Sequence, residues 1–436
     1  MKKKNARAVK KNRRKFIKES GIVVLGSTVA FNIGYARQSF EPNEKTLKVG
    51  LIGCGGRGTG AASQALSADP DVVLTAMADI FPDRLEKSYK AIKEIHPKKV
   101  VIDEDHKFIG FDAYRKLLES DVDVVLLATP PSFRPDHLAA TIDAGKHVFA
   151  EKPMAVDAPG VRKVIASAKK AREKGLSLTS GYCFRYDNTK RAFFGKILDG
   201  EIGQIRSISS IRYGGELWYK PRQPQWSQME YQLRNWYYYD WLSGDFVVEM
   251  HVHNLDQMAW AMGNKPPISA VGIGGRQVRV DEKFGNIYDH LAVEFEYQDG
   301  AKGYHFGRQF NGCSSKQTLN IVGTKGTATI DKKGKHQIHT NTAWEYQGEK
   351  NNMYQKEHDE LFASIRNGKP TNDGEWMANS TMMGIISRMV AYSGQTISWE
   401  EAINSNKAIG PSIDKFNWEL KWPGGAVAVP GRTEVL

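Results

Sequence analysis

The sequence predicts an α/β protein of two domains, and three observations carry that reading. From about residue 47 to residue 180, short apolar runs alternate with segments whose apolar residues recur at helical spacing. The first of these runs breaks into a glycine turn of the form Gly-x-Gly-x-x-Gly. After Gly181 the alternation stops, and strand-like runs joined by glycine turns such as Gln298-Asp299-Gly300 take over. Strands alternating with helices build a parallel, doubly wound sheet. Consecutive hairpin strands build a largely antiparallel sheet with one face buried.

The chain is organised around Leu47 to Gly58. Val49, Leu51 and Ile52 form a buried-type strand, Gly53, Gly55 and Gly58 form the turn, and Ala61, Ala62, Ala65 and Leu66 follow at helical spacing. In a strand-turn-helix context, the first glycine permits the tight turn, the second lets backbone approach a pyrophosphate, and the third lets helix and strand pack closely. The helix N-terminus adds unpaired N–H groups and a partial positive charge. A second strand, Val72 to Ala78, ends in Asp79, roughly 20 residues beyond the last glycine, where a ribose-binding acid belongs. The strand Val122 to Ala128 leads into Thr129-Pro130-Pro131, and His147 to Ala150 into Glu151-Lys152-Pro153. These are strand C-terminal ends, where open parallel sheets bind ligands. Residues 47–180 are therefore expected to form a Rossmann dinucleotide-binding domain. Its helices are expected at 57–67, 82–95, 114–119, 134–144 and 158–174.

Strands are expected in the second domain, 181–415, at 205–213, 268–274, 287–297, 301–309, 318–322 and 327–331. Helices are expected at 190–199, 250–262, 357–367 and 376–393. The tail, 416–436, carries Trp418, Trp422 and Pro423 and reads as an extended arm packed on its own domain or on a neighbouring subunit.

A net charge of +12 suggests nucleic acid until it is located. Ten Lys/Arg against Glu19 fall within residues 1–36, which hold +9 of that charge and leave +3 for the rest. Basicity confined to a terminal segment gives no case for nucleic acid. Arg13-Arg14-Lys15-Phe16 followed by the modestly apolar stretch Gly21 to Ile33 resembles a twin-arginine export signal, with a cleavage site after Ala36 and a linker over 37–46. The apolar stretch is too short for a membrane span, so no stable span is expected after cleavage. Cys54, Cys183 and Cys313 are odd in number and far apart, which does not read as a disulfide framework.

The run Ala128-Thr129-Pro130, His137 and Ala144 to Pro153, together with Gly244 to Gly263, closely resembles the Gfo/Idh/MocA oxidoreductase family, over about residues 46–395. The resemblance implies that Lys152 sits beside a nicotinamide, and that the open sheet mediates a homo-oligomer, a dimer or a tetramer. An ammonium there can hydrogen-bond a substrate hydroxyl and help carry its proton. The family's second signature is matched by Gly244, Glu249, His251, His253, Asp256, Trp260 and Gly263. His253 falls on the catalytic histidine, and Glu249, four residues earlier, is expected on the same helical face, fixing its tautomer. Glu249 stands where the family has aspartate and His251 where it has glycine. Glu249, His251, His253 and Asp256 also form a metal-like cluster of a kind that suits zinc. No separate ligand motif accompanies it, and no metal is expected.

Between Tyr213 and Trp241 lie four tryptophans, six tyrosines, Arg222 and Arg234. Flat faces with polar handles suit stacking on sugars, and they equally suit an interface or a dock for the tail. The expected cofactor contacts are Gly53, Gly55, Arg57, Gly58, Asp79, Thr129, Pro130, His137, Glu151, Lys152 and Arg185. The expected substrate contacts are Lys152, Tyr186, Arg234, Trp236, Trp241, Glu249, His251 and His253. Asp79 favours NAD because a carboxylate repels a 2′-phosphate. Arg57 would tolerate one, which keeps NADP open.

The expected function is exported hydride transfer between a small sugar or polyol and a tightly held nicotinamide, with Lys152, His253 and Glu249 as the catalytic set. Two alternatives remain. One is a redox-neutral, NAD-dependent glycoside hydrolase working by oxidation, elimination, hydration and reduction. The other is a non-catalytic sugar- or nucleotide-binding protein.

Overall fold

Two sheets divide residues 45–436, the part of the chain that the computed structural model describes. The twin-arginine segment and nearly all of the linker lie outside the described residues.

In the first sheet, β1 (Leu47–Ile52), β2 (Val72–Asp79), β3 (Lys107–Ile109), β4 (Val124–Leu127), β5 (His147–Ala150) and β6 (Leu178–Ser180) are parallel. Their order is β3-β2-β1-β4-β5-β6, so the chain reverses direction between β1 and β4 and leaves a crevice at their C-terminal ends. The helices α1 (Gly56–Ala68), α2 (Pro82–Ile95), α3 (Ala113–Glu119), α4 (Arg134–Asp143) and α5 (Ala158–Glu173) fall within a residue or so of the expected spans. α1 buries Ala61, Ala62, Ala65 and Leu66 against the sheet. Pro82 opens α2 with a preset φ, and Asp157 caps α5 by accepting from Gly160 N at 2.9 Å.

The remaining helices are α6 (Asn188–Leu198), α7 (Gln228–Arg234), α8 (Asp240–Ser243), α9 (Val252–Ala261), α10 (Met353–Arg366), α11 (Gly374–Ser393) and α12 (Trp399–Asn404). The strands β7 (Ile205–Gly214), β8 (Ser269–Gly275), β9 (His290–Glu296), β10 (Lys302–Gln309), β11 (Lys316–Gly323), β12 (Thr327–Ile330), β13 (His336–His339), β14 (Ala343–Glu345) and β15 (Ile397–Ser398) form the second sheet. It runs β14-β13-β12-β11-β7-β10-β9-β8-β15 and is antiparallel except where β7 pairs with β10. Its inner face packs on α9 and α11. Gly272 and Gly274 let α11 lie close, since a Cβ there would stand 3.0 Å from Val390 and 3.1 Å from Ala391. The outer face carries a register-aligned row, Ile273, Ala292, Phe306, Ile211 and Thr318. No helix among the described residues is long and apolar enough to cross a membrane.

The structure departs from the sequence reading at two of the expected helices. The helix expected over 250–262 starts earlier, as a π turn over Val247–His251 that runs into α9. α10 lies inside the stretch expected for the second domain, yet it packs on α1, and its Leu361, Phe362 and Ile365 join the core of the first domain. The tail, expected on its own domain or on a neighbouring subunit, packs on its own chain. Phe416 stacks on Trp241 at 5.7 Å and meets Phe133 at 4.9 Å, while Trp418 lies 5.6 Å from Phe81 and 4.8 Å from Phe111.

Candidate active site

A cavity of about 750 Å³ occupies the crevice at the C-terminal ends of the first sheet. Gly53, Gly55, Arg57, Asp79, Thr129, Pro130 and His137 line it, as expected of cofactor contacts, and Trp218 and Trp236 close it from the second domain. Gly53 sits at φ +96°, and a Cβ there would come within 2.7 Å of Thr129 N. A Cβ on Gly58 would overlap the Gly53 carbonyl oxygen at 1.9 Å, which explains why the helix needs glycine here. Gly55 faces open space for 4 Å, the approach a pyrophosphate requires.

The Asp79 carboxylate accepts from Cys54 N at 2.7 Å and from Phe81 N at 2.8 Å, so it is held at the strand end. Burial raises its pKa, and the two amides oppose that shift. Each oxygen keeps a lone pair for a ribose hydroxyl. Arg84 and Lys87 line the cavity beside it. His137 stacks on Tyr114 at 4.3 Å and faces Thr129 Oγ1 at 3.3 Å. Burial, then the charge of Arg134, pushes its pKa down to about 3, so the ring is neutral and serves as cavity wall.

Arg57 was expected to accommodate a phosphate, but its guanidinium is turned away from Asp79. Nε lies 2.6 Å from Glu151 Oε1, and Nη2 donates to Gln64 Oε1 at 2.5 Å. The glycine turn, the first amides of α1 and Asp79 thus fit a dinucleotide such as NAD.

Beyond the cavity lining lie Lys152, Glu249 and His253. Lys152 Nζ donates to the Glu249 carbonyl at 2.6 Å and to Glu249 Oε1 at 3.1 Å. Glu249 Oε2 is buried without a hydrogen-bond partner. Burial raises the Glu249 pKa, and the Lys152 charge opposes the rise. His253 lies tilted against Phe184 at 4.9 Å and edge-on to Tyr182 at 6.2 Å, with Nδ1 buried and unpaired. Burial first, then Lys152, Arg212 and Lys190, hold its pKa well below the usual imidazole value.

The expected Glu249–His253 contact is absent. The π turn changes the helical period between the two residues, and the longer glutamate side chain reaches Lys152 instead.

Five further expected contacts have other roles. Arg185 forms a fork onto Asp256, with Nη2 to Oδ1 at 2.7 Å, and its guanidinium lies between Trp260 (4.6 Å) and Trp376 (4.5 Å). The Tyr186 hydroxyl donates to Asp373 Oδ2 at 2.5 Å. Arg234 bridges Asp83 at 3.0 Å and Glu230 at 2.8 Å, tying α7 to α2. Trp241 is buried beneath the tail and donates to Gln232 Oε1 at 2.8 Å. His251 is buried against β10, its Nδ1 3.1 Å from His305 Nε2. The four residues of the metal-like cluster therefore point to four different partners. Sequence reasoning missed Phe111 and Tyr114 in the cavity wall, because the helix and loop segments that carry them have no chemical signature, and it singled out the aromatics around Lys220 without the lysine itself.

These two domains and this crevice define a NAD-binding Rossmann oxidoreductase. Residues 47–181 match the oxidoreductase family with an NAD-binding Rossmann fold, and residues 196–329 match the GFO/IDH/MocA C-terminal domain. The two matches together span more than half of the chain, which belongs to the Gfo/Idh/MocA oxidoreductase family. It is 26% identical to the myo-inositol 2-dehydrogenase of Thermotoga maritima over 65% of this chain and 75% of that one. A structure of aldose-aldose oxidoreductase from Caulobacter crescentus complexed with glycerol shares the fold, at TM-score 0.63 and 20% identity, over 81% of this chain and all of that one. So does a levoglucosan dehydrogenase in complex with NADH and levoglucosan, at TM-score 0.62 and 18% identity, over 81% of this chain and 99% of that one.

Proposed function

We propose that the protein is an exported, NAD-dependent dehydrogenase or transhydrogenase acting on a hydroxyl-bearing carbon of a sugar or polyol. The observation that carries this reading is the Lys152–Glu249 pair beside an unpaired His253. Bound NAD supplies the hydride acceptor, and the glycine turn, Asp79, Thr129 and His137 would hold it. Lys152 presents an ammonium whose position Glu249 sets, so it can hydrogen-bond the reacting hydroxyl. His253, neutral and with a buried nitrogen lacking a partner, can take that hydroxyl's proton. Retention of the lysine favours stable oxidation over a redox-neutral elimination cycle.

Export through the segment 1–36 is part of the proposal. Outside the cytoplasm no free NAD pool is at hand, so the cofactor must be held tightly and regenerated in place by a second substrate. The enclosing wall of Trp218, Leu233, Trp236 and Ile413 supports tight retention. The apolar row on the outer sheet face supports a homo-oligomer formed there.

An absorbance spectrum of the purified, undialysed mature protein, before and after addition of sugars, polyols and aryl glycosides, tests the reading. Copurified cofactor that becomes reduced and stays reduced is the expected result. Aglycone release without lasting reduction would establish a glycosidase instead, and absence of copurified cofactor would remove the argument for tight retention.

A further inference from the structure

Around His253 the cations outnumber the anions. Elsewhere in this chain, several guanidinium groups that brace the fold hold either a carboxylate or two or more carbonyl oxygens. Arg185 takes Asp256 at 2.7 Å, Arg191 takes Glu360 at 2.6 Å, and Arg234 takes Asp83 at 3.0 Å. Arg134 takes the carbonyls of Pro153 and Thr129, and Arg279 those of Tyr288 and the Gln309 side chain. Arg212 has a single hydrogen-bond partner among the described residues. It is on the helix-facing side of β7, opposite Gly307, whose missing side chain is replaced by the His251 ring. From there its Nη1 reaches Asn254 Oδ1 at 3.2 Å, the residue next to His253, and no carboxylate meets it among the described residues.

Lys190 approaches from α6. Its Nζ lies 4.6 Å over the Phe184 ring, and that ring packs at 4.9 Å on His253. Its nearest anion is Asp187, at a loose 3.8 Å. Lys152 is already engaged by Glu249. Counting Glu249 and Asp187 against the three cations leaves one positive charge without a partner. An under-paired, largely buried cation is unfavourable unless a ligand completes it.

We propose that Arg212 and Lys190 form a subsite for a carboxylate on the substrate, so that the sugar oxidised at Lys152 and His253 is an acidic one, of the uronic or aldonic acid class. This deepens the dehydrogenase reading above and rests on it. One surplus positive charge matches a carboxylate better than a phosphate dianion. A planar guanidinium also suits the two oxygens of a carboxylate.

The test is initial-rate kinetics of the NAD-loaded full chain on gluco-, galacto- and manno-configured hexoses, the matching uronic acids and the hexose 6-phosphates. At least one uronic acid should exceed its parent hexose in kcat/KM by about 10- to 100-fold, the range of one or two charge-assisted hydrogen bonds. Arg212→Met should cut that ratio about tenfold, mainly through KM, with copurified NAD unchanged, and Arg212→Lys should restore part of it. Hexoses preferred over every uronic acid, hexose phosphates preferred over both, or an unchanged ratio in Arg212→Met would each overturn the subsite while leaving hydride transfer intact. If no sugar reduces the cofactor, the dehydrogenase reading fails. A rise in melting temperature with uronic acids, absent with hexoses and lost in Arg212→Met, would then still uphold the subsite, and equal shifts would end it.

Discussion

Lys152 and Glu249 stand 97 positions apart in the chain, yet the lysine Nζ contacts both the carbonyl (2.6 Å) and the carboxylate (3.1 Å) of the glutamate. One side chain thereby ties the end of β5 in the first domain to the π turn ahead of α9 in the second. The ammonium is locked in place by the same residue that opposes its charge, and that ammonium acts on His253.

Lys152→Ala or His253→Ala is expected to lower kcat roughly 10²-fold or more, as loss of a proton-transfer group does. Copurified NAD should be unchanged, because neither side chain lines the cofactor cavity. Glu249→Gln should also lower kcat, since a neutral amide positions the ammonium less firmly. Full turnover in both alanine variants would rule out this catalytic set.

Acid stability offers a test remote from the cofactor. Burial, with the charge of Arg212 second, holds His305 at about 3, whereas in the unfolded chain an imidazole titrates near 6.5. Between those values the unfolded state binds a proton that the folded state refuses, so this histidine's contribution is whole above pH 6.5 and is lost as pH falls. Raised carboxyls such as Asp245, at about 6, act in the opposite direction, so the comparison must be made against a variant. Relative to wild type, His305→Gln should gain about 1.4 kcal/mol per pH unit below pH 6.5. Urea unfolding at pH 7.5, 6 and 5 would measure it, and a pH-independent difference would contradict the assignment.

Arg234 holds α7 onto α2 through Asp83, over the Phe81 ring at 4.0 Å. Because the same segment supplies Leu233 and Trp236 to the cavity wall, Arg234→Ala should speed NAD release. The stability cost should be small, about 1 kcal/mol or less, since Asp83 is largely exposed. Truncation before Phe416 should act more strongly, by uncovering Trp241 and Phe81. Cofactor retained after gel filtration reports the effect. Equal retention in both variants would show that the wall does not govern release.

The outer sheet face should behave as a subunit contact. Ile273 is 73% exposed at the edge of the apolar row that also holds Phe306. A glutamate at either position should shift the protein to a smaller species in sedimentation or light scattering, with its melting cooperativity kept. A wild-type protein that is already monomeric would end this proposal.

The sequence alone determined what local periodicity and covalent geometry can encode. Alternating strands and helices, the Gly53-Gly55-Gly58 turn and Asp79 at a strand end all lie within one βαβ unit, where side-chain spacing maps directly onto faces and ends. The pairing of Lys152 with Glu249 is half legible: both residues stand out, but a regular helical period puts the glutamate beside His253, and a π turn replaces that period. Arg185, Tyr186, Arg234 and Trp241 look like site residues in sequence. The tertiary structure pairs them with Asp256, Asp373, Asp83 and the tail, partners far away along the chain. Arg212 shows the converse. Nothing in its neighbourhood marks it, and only the packing of β7 against α9, which leaves a guanidinium beside His253 without a carboxylate, gives it a role.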